Sequence, residues 1–171
     1  FSPSVGDGGN TYTNTFSFEH GAAYAQSAYE ESPVNITLTA DVLASTSVVL
    51  TQDSDGSTPI NYSAEAGNTE SVLINISEDG GNNSATIDSF TVSDDGDGTA
   101  PFSLNSGYSS FGTTVPAGGS ISEAVVEFAP TSGTGSAPDF IVNGELTANY
   151  SGTGVPSGAS SSVNLQGQVI K

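Results

Sequence analysis

The 171 residues contain no cysteine, methionine or tryptophan, and Lys171 is the only lysine or arginine. Without a thiol, disulfide bonds, cysteine-ligated zinc and thiol catalysis are excluded from this sequence. No apolar run approaches the roughly 20 residues that a helix needs to cross a bilayer. The sequence therefore predicts neither a disulfide-stabilised protein nor a protein inserted in a membrane.

Basic charge is almost absent, whereas acidic residues are frequent. Nineteen Asp and Glu side chains give a formal net charge of −18 with His neutral. Nucleic acids and anionic membranes are excluded as partners, because phosphate recognition needs cationic contacts. Only 12% of the residues are charged, which distinguishes the chain from a disordered acidic tail. Such a surface repels copies of itself unless salt, acid, cations or glycans screen it.

The first residue is Phe1 and not methionine. We therefore expect a processed chain whose signal segment has been removed, located outside the cell or at its surface. A single basic residue leaves trypsin-like proteases almost nothing to cleave, which suits an extracellular protein.

The residues that are present favour an all-β fold. There are 21 glycines and 8 prolines, and apolar residues alternate with polar ones, most clearly from Val34 to Val42. Turn signals recur about every ten residues, as in a β-sandwich. The segment 20–31, "HGAAYAQSAYEE", is compatible with a short helix or a loop. Further strands are predicted near Thr11–Phe18, Ile60–Ser63, Glu70–Ser77, Ala85–Ser93, Ile121–Phe128, Phe140–Tyr150 and Ser160–Ile170.

Residues from about 60 to 171 carry a series of short motifs in a characteristic order: "IDSFTVS", "PFSL", "TVPAGGS", "VEFAPTSG" and "VNLQGQ". This order resembles the choice-of-anchor-D, or ASH-type, immunoglobulin-like domain. The resemblance implies an immunoglobulin-like antiparallel β-sandwich that serves as a scaffold in surface and structural proteins and is not an enzyme. We therefore expect an N-terminal arm over 1–22 and a sandwich over 23–171. Residues 1–59 have no counterpart in the family.

The segment "TYTNTFSF" predicts an aromatic strand close to the N-terminus, with Tyr12, Phe16 and Phe18 on one face. One hypothesis is that it acts as a donor strand, completing the sandwich of another copy of the chain. A head-to-tail arrangement of this kind propagates into a filament. Its layout is similar to that of archaeal surface threads and TasA-type biofilm filaments. The other reading is that Thr11–Phe18 adds an edge strand to its own domain.

The sequence thus predicts a secreted structural subunit that assembles with copies of itself into an extracellular, pilus-like fibre. The alternative is a monomeric cell-surface adhesin or carbohydrate-binding module. In that alternative, exposed aromatic residues of the loop "NSGYSSFG", Tyr108 and Phe111, would contact the ligand.

Catalysis is not expected. His20, the only histidine, lies in a Gly- and Ala-rich connector, and no G-x-S-x-G motif is present. Two acidic loops have the closely spaced oxygens that calcium prefers, although neither continues to the glutamate of an EF-hand. Solvated turns are the commoner reading of such loops on an acidic chain. The candidate ligands are Asp53 and Asp55 in the first loop and Asp94, Asp95 and Asp97 in the second. No other cofactor is expected.

The sequence also predicts sites of N-glycosylation, which would shield the acidic surface. The candidate acceptors are Asn35, Asn61, Asn75, Asn83 and Asn149.

Overall fold

The computed structural model describes residues 11–18, 34–41, 46–80, 83–94, 101–131 and 140–170. These residues form strands and their connections, without a helix. The predicted all-β class is confirmed. The short helix considered at 20–31 lies outside the described residues.

Thirteen strands are present in the described ranges. In chain order they are β1 (Thr11–Phe18), β2 (Val34–Asp41), β3 (Val48–Gln52), β4 (Ile60–Glu65), β5 (Glu70–Ser71), β6 (Ile74–Glu78), β7 (Ala85–Asp94), β8 (Phe102–Leu104), β9 (Thr113–Val115), β10 (Ser120–Glu123), β11 (Val126–Phe128), β12 (Phe140–Gly152) and β13 (Ser160–Ile170).

The chain divides into two compact units, Phe1–Ala44 and Ser45–Lys171. This boundary differs from the sequence-based one, which ended the arm at residue 22 and assigned β2 to the sandwich. The physical reason is that, in the described residues, β2 pairs with β1 and not with a strand of the second unit.

In the first unit, β1 and β2 form a two-stranded antiparallel sheet. The pairing is continuous, from Thr11 opposite Asp41 to Phe18 opposite Val34. We call this pair of strands the N-terminal ribbon.

In the second unit, the largest sheet has five strands in the order β4-β13-β12-β7-β9. Its neighbours are antiparallel, except that β4 runs parallel to β13. The alternation of side chains turns Val142, Leu146 and Leu165 inward, and polar residues such as Asn164 outward.

The other strands of this unit form two three-stranded sheets, β10-β6-β3 and β5-β11-β8. β5 and β6 are consecutive parts of one interrupted strand, and β10 and β11 are consecutive parts of another. Each of the two sheets therefore contains one part of both interrupted strands. The register changes by one residue at the interruption, from Glu123 opposite Ile74 to Glu127 opposite Ser71. This one-residue change is the signature of a β-bulge, at which a strand bends.

All three sheets of the second unit contribute to one hydrophobic core, which makes the unit sandwich-like. At one end of the core, three aromatic rings pack together. The centroid of Phe102 lies 5.0 Å from that of Phe128 and 5.5 Å from that of Tyr62. The largest fully buried side chains are Phe90, Phe128, Ile60, Ile74, Ile76, Ile87, Leu146 and Leu165.

Candidate functional site

The N-terminal ribbon has one apolar face. Because β1 and β2 are in register without a bulge, side chains at even positions of both strands lie on the same side. Phe16 is opposite Ile36, Tyr12 is opposite Ala40, and Asn14 is opposite Leu38. Among the described side chains of this face, Asn14 is polar and the others are aromatic or aliphatic.

The other face of the ribbon is polar and almost uncharged. Its side chains bond across the two strands: Thr11 Oγ1 donates to Asp41 Oδ1 at 2.7 Å, and Ser17 Oγ donates to Asn35 Oδ1 at 2.5 Å. Cross-strand pairs of this kind stabilise a ladder by a few tenths of a kcal/mol to about 1 kcal/mol each. The bonds on the hydroxyl face thus help to hold the two strands in register.

Large apolar side chains on the ribbon are exposed. Leu38 is 56% exposed, Phe16 and Ile36 are 47% exposed, and Tyr12 is 39% exposed. Tyr12, Phe16, Leu38 and Ala40 line a groove of about 410 Å³ on this face. A two-stranded sheet is marginally stable in water by itself, and a contiguous apolar patch on a protein surface marks an interaction site. The apolar face is therefore the candidate functional site.

The structure brings together most of what the sequence assigned to the donor strand. Tyr12 and Phe16 share the apolar face, as predicted. The backbone of Phe18 pairs with Val34, while the Phe18 side chain lies outside the described part of the chain. What sequence reasoning missed is the partner strand, since β1 pairs along its whole length with β2 of the same chain. The donor role itself stays a prediction.

In the first acidic loop, protein groups donate hydrogen bonds to the carboxylates. Asp55 Oδ1 accepts a bond from the backbone N–H of Ser57 at 2.9 Å, and Asp53 Oδ1 accepts one from Ser122 Oγ. In the described ranges, no group of three or more His, Asp or Glu side chains is placed to hold a metal ion. Asp94 ends β7, and the other members of that candidate site, Asp95 and Asp97, lie outside the described residues. The calcium prediction is neither confirmed nor contradicted.

The predicted glycosylation sites differ in accessibility. Asn35 on β2 and Asn61 on β4 are exposed. Asn75 and Asn149 are partly buried on their strands, and Asn149 Nδ2 donates to Ser89 Oγ at 3.2 Å. Asn35 and Asn61 are thus the acceptors that an enzyme reaches most easily.

The prediction at Asn83 is wrong. Asn83 is followed by Ser84 and Ala85, so no hydroxyl residue stands two positions after it. The sequon at this turn belongs to Asn82, which lies outside the described residues. The amide nitrogen of Asn83 is moreover buried without a hydrogen-bond partner.

The aromatic pair of the alternative function is not exposed as expected. Tyr108 and Phe111 are partly buried and pack against Phe90, with ring centroids 6.4 Å and 5.6 Å from its own. Tyr108 Oη donates to Glu123 Oε2 at 2.8 Å, and this hydrogen bond raises the pKa of Tyr108. The loop thus uses both rings to cover the edge of the core, and the prediction of exposure is wrong.

His20, on which a catalytic triad would depend, lies outside the described residues. Within the described ranges we find no helix with the length and apolar character that crossing a bilayer requires.

No protein-family model matches the sequence, and no curated protein resembles it at a significant level. The resemblance to choice-of-anchor-D domains stays a prediction from the motifs. The functional argument therefore rests on the ribbon and on the sandwich-like unit.

Proposed function

We propose that the protein is a secreted structural subunit that assembles head to tail into an extracellular filament. The apolar face of its N-terminal ribbon docks on the sandwich-like unit of the next copy. The observation that supports this proposal best is the exposure of Tyr12, Phe16, Ile36 and Leu38 on one face of a two-stranded sheet.

The energetics favour docking of this face. Fully burying a side chain such as Phe or Leu contributes roughly 1.5–3 kcal/mol, and these four side chains are 39–56% exposed, so each gains roughly half of that on docking. Together they offset part of the ordering cost of association. Docking stabilises the ribbon in two ways, because the partner covers its apolar side chains and also holds together a two-stranded sheet that is marginally stable by itself.

The charge distribution makes the ribbon the part of this acidic chain best suited to approach another copy. Its two eight-residue strands contain a single charged residue, Asp41, at one end. The whole chain has nineteen acidic residues. Repulsion between copies is therefore weaker at the ribbon than over an average part of the surface.

The second unit has the properties of a structural scaffold. Its five-stranded sheet combines one parallel pair, β4 with β13, with antiparallel pairing between the other neighbours. We propose that the second unit is an immunoglobulin-like domain, as the resemblance implies. Such sandwiches serve many functions, so this fold is consistent with a structural subunit but does not by itself indicate a filament.

Because the ribbon and the sandwich are different surfaces, a contact between them is heterologous and propagates unless it closes into a ring. This is why we propose a filament and not a dimer. A single Lys, with no Arg, also leaves trypsin-like proteases little to cleave, which is consistent with an extracellular location.

The alternative function, a monomeric adhesin or carbohydrate-binding module, is less well supported. Its contact residues Tyr108 and Phe111 are packed against Phe90 instead of being presented to a ligand. Monomers at all concentrations combined with binding to a glycan array would favour it.

The proposal is tested by making the apolar face polar. The double variant Phe16→Ser/Leu38→Ser changes two exposed side chains, so the second unit is expected to fold as before. The matched control, Thr13→Ser/Thr39→Ser, changes an opposed pair on the hydroxyl face. Light scattering and negative-stain electron microscopy measure assembly, and circular dichroism measures folding.

We expect filaments from the wild type and from the control, and monomers from Phe16→Ser/Leu38→Ser. Filaments of unchanged abundance from the apolar-face variant would refute the role of the ribbon. A wild type that forms closed dimers at every concentration would refute the filament.

A further inference from the structure

A cleft in the second unit has the construction of a strand-binding site. It has a volume of about 380 Å³ and lies between β3 and the first half of β13, with Thr58 and Pro59 at its end. Its walls are consecutive residues, Val49 and Leu50 on one side and 161–164 on the other. Consecutive residues of a strand point to opposite faces, so the cleft exposes strand edges and not one face of a sheet.

Both edges are open where they border the cleft. The parallel ladder of β4 reaches only from Leu165 to Ile170 of β13, which leaves 160–164 without a neighbour on that side in the described part of the chain. In the same described ranges, β3 pairs with β6 alone and ends its sheet. Open edges of this kind are templates for pairing with another strand.

Buried apolar side chains lie on the inner side of the cleft, and the exposed residues of β13 beside it are polar. Leu50 and Val163, 3% and 6% exposed, lie on its inner side. On the outer face of β13, Ser160, Ser162 and Asn164 are exposed. A strand that fits here needs apolar side chains on one face and hydroxyl or amide side chains on the other.

The N-terminal ribbon meets this requirement. The outward face of β1 consists of Thr11, Thr13, Thr15 and Ser17, and its other face carries Tyr12 and Phe16 with Asn14 between them. If β1 joins β13, hydroxyl side chains continue those of the outer face and aromatic side chains point toward the core. The open stretch of five residues is about 17 Å long, which the eight residues of β1 more than span.

We propose that this cleft receives the outer edge of β1 from the ribbon of a second copy of the chain. This inference rests on the proposed function and specifies its acceptor site. The five-stranded sheet is thereby extended by the two strands of the ribbon of the neighbouring subunit. The charges allow the contact, since Glu145 is the acidic residue lining the cleft and Asp41 is the acidic residue of the ribbon strands.

Cysteine cross-linking tests the acceptor site, because the natural chain contains no cysteine to interfere. Thr13→Cys is placed on one copy and Ser162→Cys on a second, ¹⁵N-labelled copy. Residues opposed across neighbouring strands have Cα atoms about 4.5–5.5 Å apart, within the range of a disulfide. Asn164→Cys serves as a second acceptor variant at another exposed position of β13.

The control acceptor is Thr114→Cys, which is exposed on β9 at the opposite edge of the same sheet. The copies are mixed as monomers, allowed to assemble under mild oxidation, and analysed by intact-mass spectrometry. We expect disulfide-linked dimers of one labelled and one unlabelled chain with Ser162→Cys or Asn164→Cys, at least tenfold more abundant than with Thr114→Cys.

The outcomes separate the two proposals. If filaments form and Thr13→Cys cross-links to Thr114→Cys, or to neither Ser162→Cys nor Asn164→Cys, the cleft is not the acceptor site, while the proposed filament stands. If the mixed cysteine variants neither assemble nor cross-link, both the proposed function and the proposed acceptor site are overturned.

Discussion

Gly167 on β13 lies directly against the ring of Phe128 on β11, so closely that no side chain fits between them. A Cβ atom on Gly167 would lie 2.5 Å from Cζ of Phe128. Gly144 on β12 has the same relationship to Phe102, whose Cδ2 would lie 2.9 Å from its Cβ. Two glycines thus make room for two rings of the aromatic cluster.

The first prediction concerns this packing. Gly167→Ala is expected to lower the free energy of unfolding by about 1–3 kcal/mol, because the rings of a packed core must shift to admit a methyl group. Urea denaturation followed by tyrosine fluorescence measures the change. Asn164→Ala, an exposed substitution on the same strand, is the control and should change stability by less than about 0.5 kcal/mol. Equal effects of the two variants would contradict the packing described here.

The second prediction concerns a buried hydroxyl. Tyr62 is 2% exposed, and its Oη has no hydrogen-bond partner. Since a buried polar atom without a partner costs about 1–3 kcal/mol, Tyr62→Phe is expected to stabilise the protein, by about 1 kcal/mol. Tyr108→Phe is the contrasting variant and should destabilise it, because Tyr108 Oη donates to Glu123. Thermal denaturation of both variants would show opposite shifts, and a lower melting temperature for Tyr62→Phe would contradict the prediction.

The third prediction concerns alkaline pH. Burial, and to a smaller degree the Glu70 carboxylate, raise the pKa of Tyr62 above its ordinary value of 10.0. The folded state therefore holds this proton more tightly than the unfolded chain does. The resulting stability is complete below about pH 10 and is lost as the pH rises further, toward the folded pKa. Stability measured from pH 8 to 12 should fall less steeply in Tyr62→Phe than in the wild type, and parallel curves would exclude this linkage.

The fourth prediction concerns salt. With a net charge of −18, copies repel one another, so raising NaCl from about 10 mM to 1 M should lower the concentration at which filaments appear. Because Asp53 and Asp55 already accept hydrogen bonds from protein groups, this loop should give calcium no advantage over magnesium at matched ionic strength. Light scattering measures both effects. A calcium-specific effect that Asp53→Asn/Asp55→Asn removes would instead support the calcium site predicted from the sequence.

The fifth prediction concerns glycosylation. Expressed in a host with N-glycosylation, the chain should carry more glycan at Asn35, which is exposed on the ribbon, than at Asn149, whose amide bonds to Ser89. Glycopeptide mass spectrometry measures occupancy at each site. Asn35→Gln should remove that glycan without preventing assembly, because Asn35 lies on the hydroxyl face and the Thr11–Asp41 and Thr15–Thr37 bonds still connect the strands.

Side-chain alternation was sufficient to predict most strands. The predicted strand at Phe140–Tyr150 is observed as Phe140–Gly152, and that at Ser160–Ile170 is observed unchanged. The predicted strand at Ile121–Phe128 is interrupted by a register change, which alternation over so few residues does not reveal.

Partners and exposure were harder to predict. Alternation shows which face of a strand is apolar but not which strand lies beside it, so the pairing of β1 with β2 was missed. In the same way, Tyr108 and Phe111 were expected at the surface because a loop has no periodicity that relates its rings to the core. The apolar face of β1 could be predicted from the sequence, whereas the cleft beside β13 depends on where β4 begins to pair.

The apolar face of the ribbon depends on the register in which β1 pairs with β2. On the apolar face Phe16 stands opposite Ile36, and on the hydroxyl face Thr15 stands opposite Thr37. Sliding one strand by a single position would place apolar side chains opposite hydroxyl side chains on both faces, so that the ribbon would no longer have an apolar face. The three hydroxyl-mediated bonds across the strands are lost on such a slip of one position, so they favour the register in which the apolar side chains share one face.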